Sequence, residues 1–326
     1  MARIAVIGSG AVGSFYGALL ARHGHDVSFL MRRDLDAVRA KGLDIRSKDG
    51  DFRLEDVNAV ASPEEIGPAD WVVCALKATA LDEAESLLRP CVGEGTRIIA
   101  LMNGLGIEER IAAWFGRERV FGGMAFVCLN RGKPGVVHHI DYGRVSIGHL
   151  GDEPSETELL HELLAPAGIE AVVAPNLVFA RWEKLGWNIP FSALTVACGG
   201  IGTARILEDA SLKAIAEGAI HEVAEAGNAD LAARGSEARI DGPGLAERMF
   251  AQTATMGDYR PSMVIDYVLG RPMEVEAILG APLRRAGELG VATPTIASLY
   301  GIVRAAQQRN AGEIMPLTPE TVVPRG

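Results

Sequence analysis

The chain has few cysteines and no surplus of basic charge, and each shortage removes a class of function. Its four cysteines, Cys74, Cys91, Cys128 and Cys198, are scattered over 326 residues without a CxxC pair or other zinc-ligand spacing. A disulfide scaffold and a structural zinc site are therefore set aside, and buried reduced thiols are expected. Lys and Arg total 32 against 42 Asp and Glu, a net charge of -10, which disfavours non-specific binding to nucleic acid or to an anionic membrane surface. Any anionic ligand must be held by a local basic site. The start, "MARIAVIGSG", runs straight into a strand pattern with no basic segment or long apolar h-region, so a cytoplasmic protein is expected.

Long apolar runs are equally scarce. The one uncharged stretch, Leu185 to Ala204, is long enough to cross a bilayer, but it carries Asn188, Pro190, Ser192, Thr195, Thr203 and several glycines. It reads instead as a core helix forming the wall of a site. The histidines offer no metal centre: His138 and His139 are adjacent in a strand pattern and point to opposite faces, while His23 and His25 flank Gly24. No metal is expected.

What is present is a composition of 48% apolar and 23% charged residues, enough for a sizeable core and two domains of ordinary size. The first half alternates β-rich runs with helical patterns, as a doubly wound, mostly parallel sheet requires. Candidate strands are 3–7, 26–31, 71–75, 97–101 and 120–129. "LDIRSKDGDFRLEDV" reads as a hairpin turning at Asp49-Gly50, "GVVHHIDYGRVSIG" as a second turning near Tyr142-Gly143, and "IEAVVAP" as a final strand after a helix over 155–167. From Asn176 the pattern turns to long Ala-, Leu- and Glu-rich helical stretches broken by "EARIDGPG" and "GDYRPS". The expected organisation is an α/β Rossmann domain over 1–175 and an all-α domain over 176–326, ending in a loose tail, "PLTPETVVPRG".

"RIAVIGSGAVG" places a G-x-G-x-x-G fingerprint between a strand and an apolar helix. Gly8 would make the tight turn, Gly10 would admit a pyrophosphate and Gly13 would let the helix pack on the sheet, with Ser9, Ala11 and Val12 completing the cradle. An NAD enzyme places an acid about 20 residues further on to hold the ribose hydroxyls. Here "SFLMRRD" supplies Arg32 and Arg33, which suit a 2'-phosphate, so NADP(H) is expected, although Asp34 follows directly. Lys77 and Asn103 lie just beyond two further strands, at the sheet edge where open α/β folds bind ligands.

Together these residues resemble the ketopantoate reductase (2-dehydropantoate 2-reductase) family over almost the whole chain. The likeness rests on "GSGAVG", "LKA" at Lys77, "MNGLG" at Asn103, "WEKLGWNIPFSALT" at Lys184 and "PSMVIDYVLGRPMEVEAILG". It implies a Rossmann domain and a helical domain with the active site in the cleft between them. It also implies NADPH-dependent reduction of 2-dehydropantoate to pantoate, a step of pantothenate biosynthesis. By the same resemblance Lys184 is the catalytic lysine and Glu274 its partner carboxylate, also placed among the cofactor contacts. Asn103, Asn188, Ser192, Ser262 and Asp266 fall where substrate is held, and Lys77 and Asn103 where cofactor is.

The residues carry that chemistry on their own terms. Hydride delivery to C2 of a 2-oxo acid leaves an alkoxide that needs a proton, and a positioned ammonium such as Lys184 can supply it. Burial would lower the pKa of such a lysine and a nearby carboxylate would raise it. Read by pattern alone, the same lysine is a side chain snorkelling past a core. Two departures bear on the substrate, because members of the family carry asparagine where Ser192 stands and others where Gly202 stands. A reductase of another keto acid or an imine is therefore one alternative, and a noncatalytic NADPH sensor is another. A homodimer through the apolar C-terminal helices is expected.

Overall fold

The computed structural model describes residues 1–314, so the tail expected at 316–326 lies outside the described residues. The chain divides into two compact units, one ending at Arg181 and the next beginning at Trp182. The sequence-read boundary after Pro175 falls a little earlier, before the helix within which the units divide.

In the first unit the elements run β1 (Arg3–Ile7), α1 (Ala11–Arg22), β2 (Asp26–Leu30), α2 (Leu35–Lys41), β3 (Leu43–Ser47), β4 (Phe52–Leu54), β5 (Asn58–Val60), β6 (Ala69–Cys74), α3 (Leu81–Leu88), β7 (Val92–Ala100), α4 (Ile107–Phe115), β8 (Val120–Arg131), β9 (Val136–His149), α5 (Pro154–Leu164) and β10 (Ala171–Val173). Strand order is β4-β3-β9-β8-β7-β6-β1-β2-β5, with β10 beside β9. From β5 to β8 every neighbouring pair is parallel. The chain turns antiparallel between β8 and β9 and between β3 and β4, which makes the sheet mixed at that flank. Ile4, Val6, Phe29, Val73, Ile99 and Phe121 belong to its main core, together with Phe15 and Tyr16 of α1. Strands covered on both faces are uniformly apolar, which is why Ile4 to Ile7 show no exposure at all.

The hairpin at Asp49-Gly50 is present, with Leu43 opposite Leu54 and Ile45 opposite Phe52. The second hairpin is not. Residues 136–149 form one strand, β9, and Tyr142-Gly143 is a bulge in it: Phe126 pairs with Arg144 and Val127 with Tyr142, leaving Gly143 unpaired. Both residues have positive φ, 59° and 139°, a signature that a turn and a bulge share, so the sequence could not separate them. The reversal occurs instead at 132–135, where Gly132 N–H donates to Val136 and Val136 N–H to Lys133. The short strand β5 had no sequence signal beyond three residues.

The second unit contains only helices among its described residues. It takes in the end of α6 (Leu177–Trp187), a π-helical segment over Asn188–Ser192, α7 (Ala193–Ala197), α8 (Thr203–Glu208), α9 (Ala210–Ala233), α10 (Gly242–Thr255), α11 (Ser262–Val268), a second π-helical segment over Glu276–Gly280, α12 (Ala281–Glu288) and α13 (Pro294–Asn310). Asp209 caps α9 by accepting from the backbone of Ser211 and Leu212. The long α9 is central and packs against α8, α10, α12 and α13 through small residues such as Ala216, Ala219 and Ala226. Its buried Asp230 accepts from the Trp182 indole (3.0 Å), Arg234 (3.0 Å) and Arg285 (2.9 Å). Burial alone would raise that carboxyl, but the indole and the two guanidinium groups outweigh it and hold the group below the ordinary carboxylate range.

The uncharged run is helical and buried as far as Val196 and then breaks at glycines, so no helix among the described residues is long and apolar enough to cross a membrane. Cys74, Cys91 and Cys128 are buried, and burial pushes the Cys74 thiol up to about 12 and that of Cys91 to about 11. Cys198 departs from expectation. It sits where α7 ends before Gly199 and Gly200, and it is exposed.

Candidate active site

The glycine loop follows β1 and faces the ends of its neighbours. Gly8 has φ +100°, and a Cβ there would lie 2.6 Å from the Ala75 carbonyl carbon, so the turn admits only glycine. A Cβ on Gly13 would collide with the Gly8 carbonyl oxygen, whereas one on Gly10 would meet nothing within 4 Å. Two glycines thus serve packing and the third leaves open space where a ligand can approach. Helix α1 begins at Ala11 without a side-chain cap and without an acid in its first turn. Its amides and dipole are available to an anion. Ser9 adds a hydroxyl that is buried yet makes no hydrogen bond among the described residues. An orphan donor beside uncapped amides suits the pyrophosphate of a dinucleotide.

The other expected cofactor residues lie at the ends of adjacent strands. Arg32 and Arg33 follow β2, Lys77 follows β6 and Asn103 follows β7, so β2, β1, β6 and β7 present all of them at one edge of the sheet. Arg32 and Lys77 are exposed. Arg32 forms no ion pair or hydrogen bond among the described residues.

Sequence reading missed the support beneath Asn103. Arg181 is buried and donates from Nε to Glu108 (2.8 Å), from one terminal nitrogen to the Ala100 carbonyl (3.1 Å) and from the other to the Met102 carbonyl. Both carbonyls stand at the end of β7, directly before Asn103. Burial pushes the Glu108 carboxyl up and Arg181 pulls it back. The available signal was a lone arginine in the apolar pattern "LVFARW"; Glu108 looked like an ordinary acid in a first helical turn.

In the second unit, Lys184 stands near the end of α6, with its ammonium 5.6 Å from the Trp187 ring centroid. Pro190 has no N–H for the helix ladder, and around it the backbone widens into a π turn. That turn holds Asn188 (6% exposed) and Ser192 (4% exposed). Neither side chain makes a hydrogen bond to another of the described residues, so both can serve a ligand. The second π segment packs against the first and begins two residues after Glu274, which is buried. Helix α11 packs there too, bringing buried Asp266 and exposed Ser262. Asn188, Ser192, Glu274 and Asp266, far apart in sequence, are thus drawn to one part of the unit. At Gly202, the other departure, a Cβ would collide with the Asp258 carboxylate. Asparagine there would require the Asp258 side chain to turn away.

Comparison with known proteins places both halves in one group. A family model described as "Ketopantoate reductase PanE/ApbA" matches residues 4–152, and its C-terminal counterpart matches 176–307. A 2-dehydropantoate 2-reductase from a Nostoc species is 36% identical, the alignment covering 94% of this chain and 96% of that one. The crystal structure of the 2-dehydropantoate 2-reductase from Geobacter metallireducens is 42% identical with a TM-score of 0.89, covering 93% of this chain and 99% of the other. D-mandelate dehydrogenase in a ternary structure with NADH and anilino(oxo)acetate shares the fold at 22% identity, with a TM-score of 0.85 over 94% of this chain and 99% of that one.

Proposed function

The chain belongs to the ketopantoate reductase family and is an oxidoreductase that uses a nicotinamide cofactor, and from that premise we propose that it reduces a 2-oxo acid to the 2-hydroxy acid with NADPH, 2-dehydropantoate being the leading substrate. The observation that carries this reading is the gathering of Asn188, Ser192, Glu274 and Asp266, all buried and far apart in sequence, around the π turn that follows Lys184.

Bound NADPH supplies the hydride that forms the new C–H bond at C2, while the carbonyl π pair moves onto oxygen. Lys184 gives a proton from Nζ to that oxygen, which balances the step and leaves a neutral amine. Glu274 stabilises the ammonium before transfer and helps the amine recover a proton afterwards. The Asn188 amide and the Ser192 hydroxyl donate to the substrate carboxylate, with bonds they do not already spend on protein. Ser262 and Asp266 complete the polar surround in the second unit. In the first unit, Ser9 and the α1 amides hold the pyrophosphate, Arg32 the 2'-phosphate, and Lys77 a further cofactor oxygen.

A second reading keeps the reaction and changes the acid. Ser192 is shorter than the asparagine it replaces and Gly202 is crowded by Asp258, so a 2-oxo acid bulkier near its carboxylate would fit the altered contacts. D-mandelate dehydrogenase, which shares this fold, was captured with a different oxo acid derivative, anilino(oxo)acetate. A homodimer and a cytoplasmic location belong to the proposal as well; exposed Val268, Leu269 and Ile302 offer apolar surface for a second copy.

Initial rates with NADPH and NADH against 2-dehydropantoate and a panel of 2-oxo acids test the proposal. Lys184→Ala should lower kcat by at least about 100-fold, as expected for loss of a general acid. Near-normal turnover in that variant removes Lys184 from its role, and NADPH binding without oxidation by any acid would identify a sensor.

A further inference from the structure

The loop after β2 carries charges of both signs, and the structure shows how the unfavourable one is contained. Arg32 and Arg33 are followed at once by Asp34, at the strand end where an acid ordinarily holds ribose hydroxyls and repels a 2'-phosphate. Asp34 is only 14% exposed. Its Oδ2 accepts a 2.7 Å hydrogen bond from Arg131, the last residue of β8, remote in sequence. Its Oδ1 lies 3.6 Å from Arg33 Nε, too far for a hydrogen bond, and is buried without another partner among the described residues. Arg131 therefore holds Asp34 more firmly than the adjacent Arg33 does, and Arg32 has no ion pair or hydrogen bond among the described residues.

We propose that Arg131 is a specificity-determining residue: by neutralising Asp34 it allows the Arg32 loop to accept a 2'-phosphorylated dinucleotide. The inference rests on the NADPH reading. Without Arg131 the carboxylate would face the incoming phosphate with its charge uncompensated, and like charges repel over the span of such a loop. Arg131 touches neither reacting group, so its loss should change cofactor choice rather than chemistry.

The test compares kcat/KM for NADPH and for NADH in the full-length enzyme. Arg131→Ala should lower the NADPH-to-NADH ratio roughly tenfold through KM for NADPH, with kcat nearly kept. Arg131→Lys should retain most of the wild-type ratio. Adding Asp34→Asn to Arg131→Ala should restore the ratio to within about twofold, because the repelling charge is gone. An unchanged ratio in Arg131→Ala, an equal fall with both cofactors, or no rescue by Asp34→Asn would each overturn the inference. The NADPH reading itself is judged separately, by the absolute ratio of the wild type, whereas this proposal is judged by the change in that ratio. A thermal melt of each variant identifies any that fail to fold, and Arg131→Gln then replaces Arg131→Ala.

Discussion

Replacing Arg181 by methionine should be among the most damaging changes in the first unit, because it leaves Glu108 buried and alone. Arg181 is 3% and Glu108 2% exposed, so neither charge can turn to water. Removing one member of such a pair costs about 3–5 kcal/mol, and the carbonyls of Ala100 and Met102 lose their donor as well. For a unit of this size, 1 kcal/mol moves the melting temperature by about 2–4 °C, so a fall of roughly 10 °C is expected. Arg181→Met/Glu108→Met should recover more than half of it, since a buried pair exchanged for apolar side chains is often nearly neutral. The defect also depends on pH. Without Arg181 the Glu108 carboxyl is pushed further up, so the native state binds more protons than the unfolded state and stability falls as pH rises above the ordinary glutamate range. Arg181→Met should therefore be closer to wild type at pH 5 than at pH 8. Urea unfolding of the wild type and the two variants, followed by tryptophan fluorescence, checks this. A single variant within about 1 kcal/mol of wild type, or a double variant worse than the single, would refute the reasoning.

Two further outcomes follow from geometry already described. Gly10→Ala should melt like the wild type but bind NADPH at least about tenfold more weakly, because its Cβ fills open space that the cofactor needs, while Gly13→Ala should lower the melting temperature through its collision with the Gly8 carbonyl; calorimetry and a fluorescence titration separate the two, and equal behaviour would contradict the assignment. Asp230→Asn should destabilise the second unit by about 3 kcal/mol at pH 7, since Arg234 and Arg285 lose the charge they share. The Asp230 carboxyl is held below its unfolded value near 3.9, so its contribution is present above that pH and is lost as pH falls through the lower folded value. The gap between the two proteins should close in acid; a constant gap from pH 7 to pH 3 would count against the charge network.

The parts legible in the sequence were those where one residue type has one physical meaning. Gly8 and Gly13 have no substitute at their backbone positions, and an unbroken apolar run such as 4–7 signals a sheet covered on both faces. Tyr142-Gly143 was ambiguous because positive φ serves a bulge as well as a turn, and only the partner strand decides which. Arg181, Glu108 and Arg131 were hidden for a different reason. Their roles depend on partners far away in the chain, and an arginine at a strand or helix end looks the same whether it is solvated or holds a loop in place. The proline at 190 was visible, but the π turn it accompanies depends on packing against the second such turn, at Glu276–Gly280.

Those two π turns bear on how the helices accommodate change. A π turn has about one more residue than the α turn it replaces. An extra residue advances the helix by about 100°, which puts the side chains before Trp187 and those after Ser192 out of phase. Every residue from 185 to 196 is buried, so the surrounding helices cover all faces of that stretch. It also explains why the run has no charged face of its own. Deleting a single residue between 188 and 192 would leave the composition almost untouched and restore an ordinary helix, yet it would rotate everything beyond it toward the wrong neighbours.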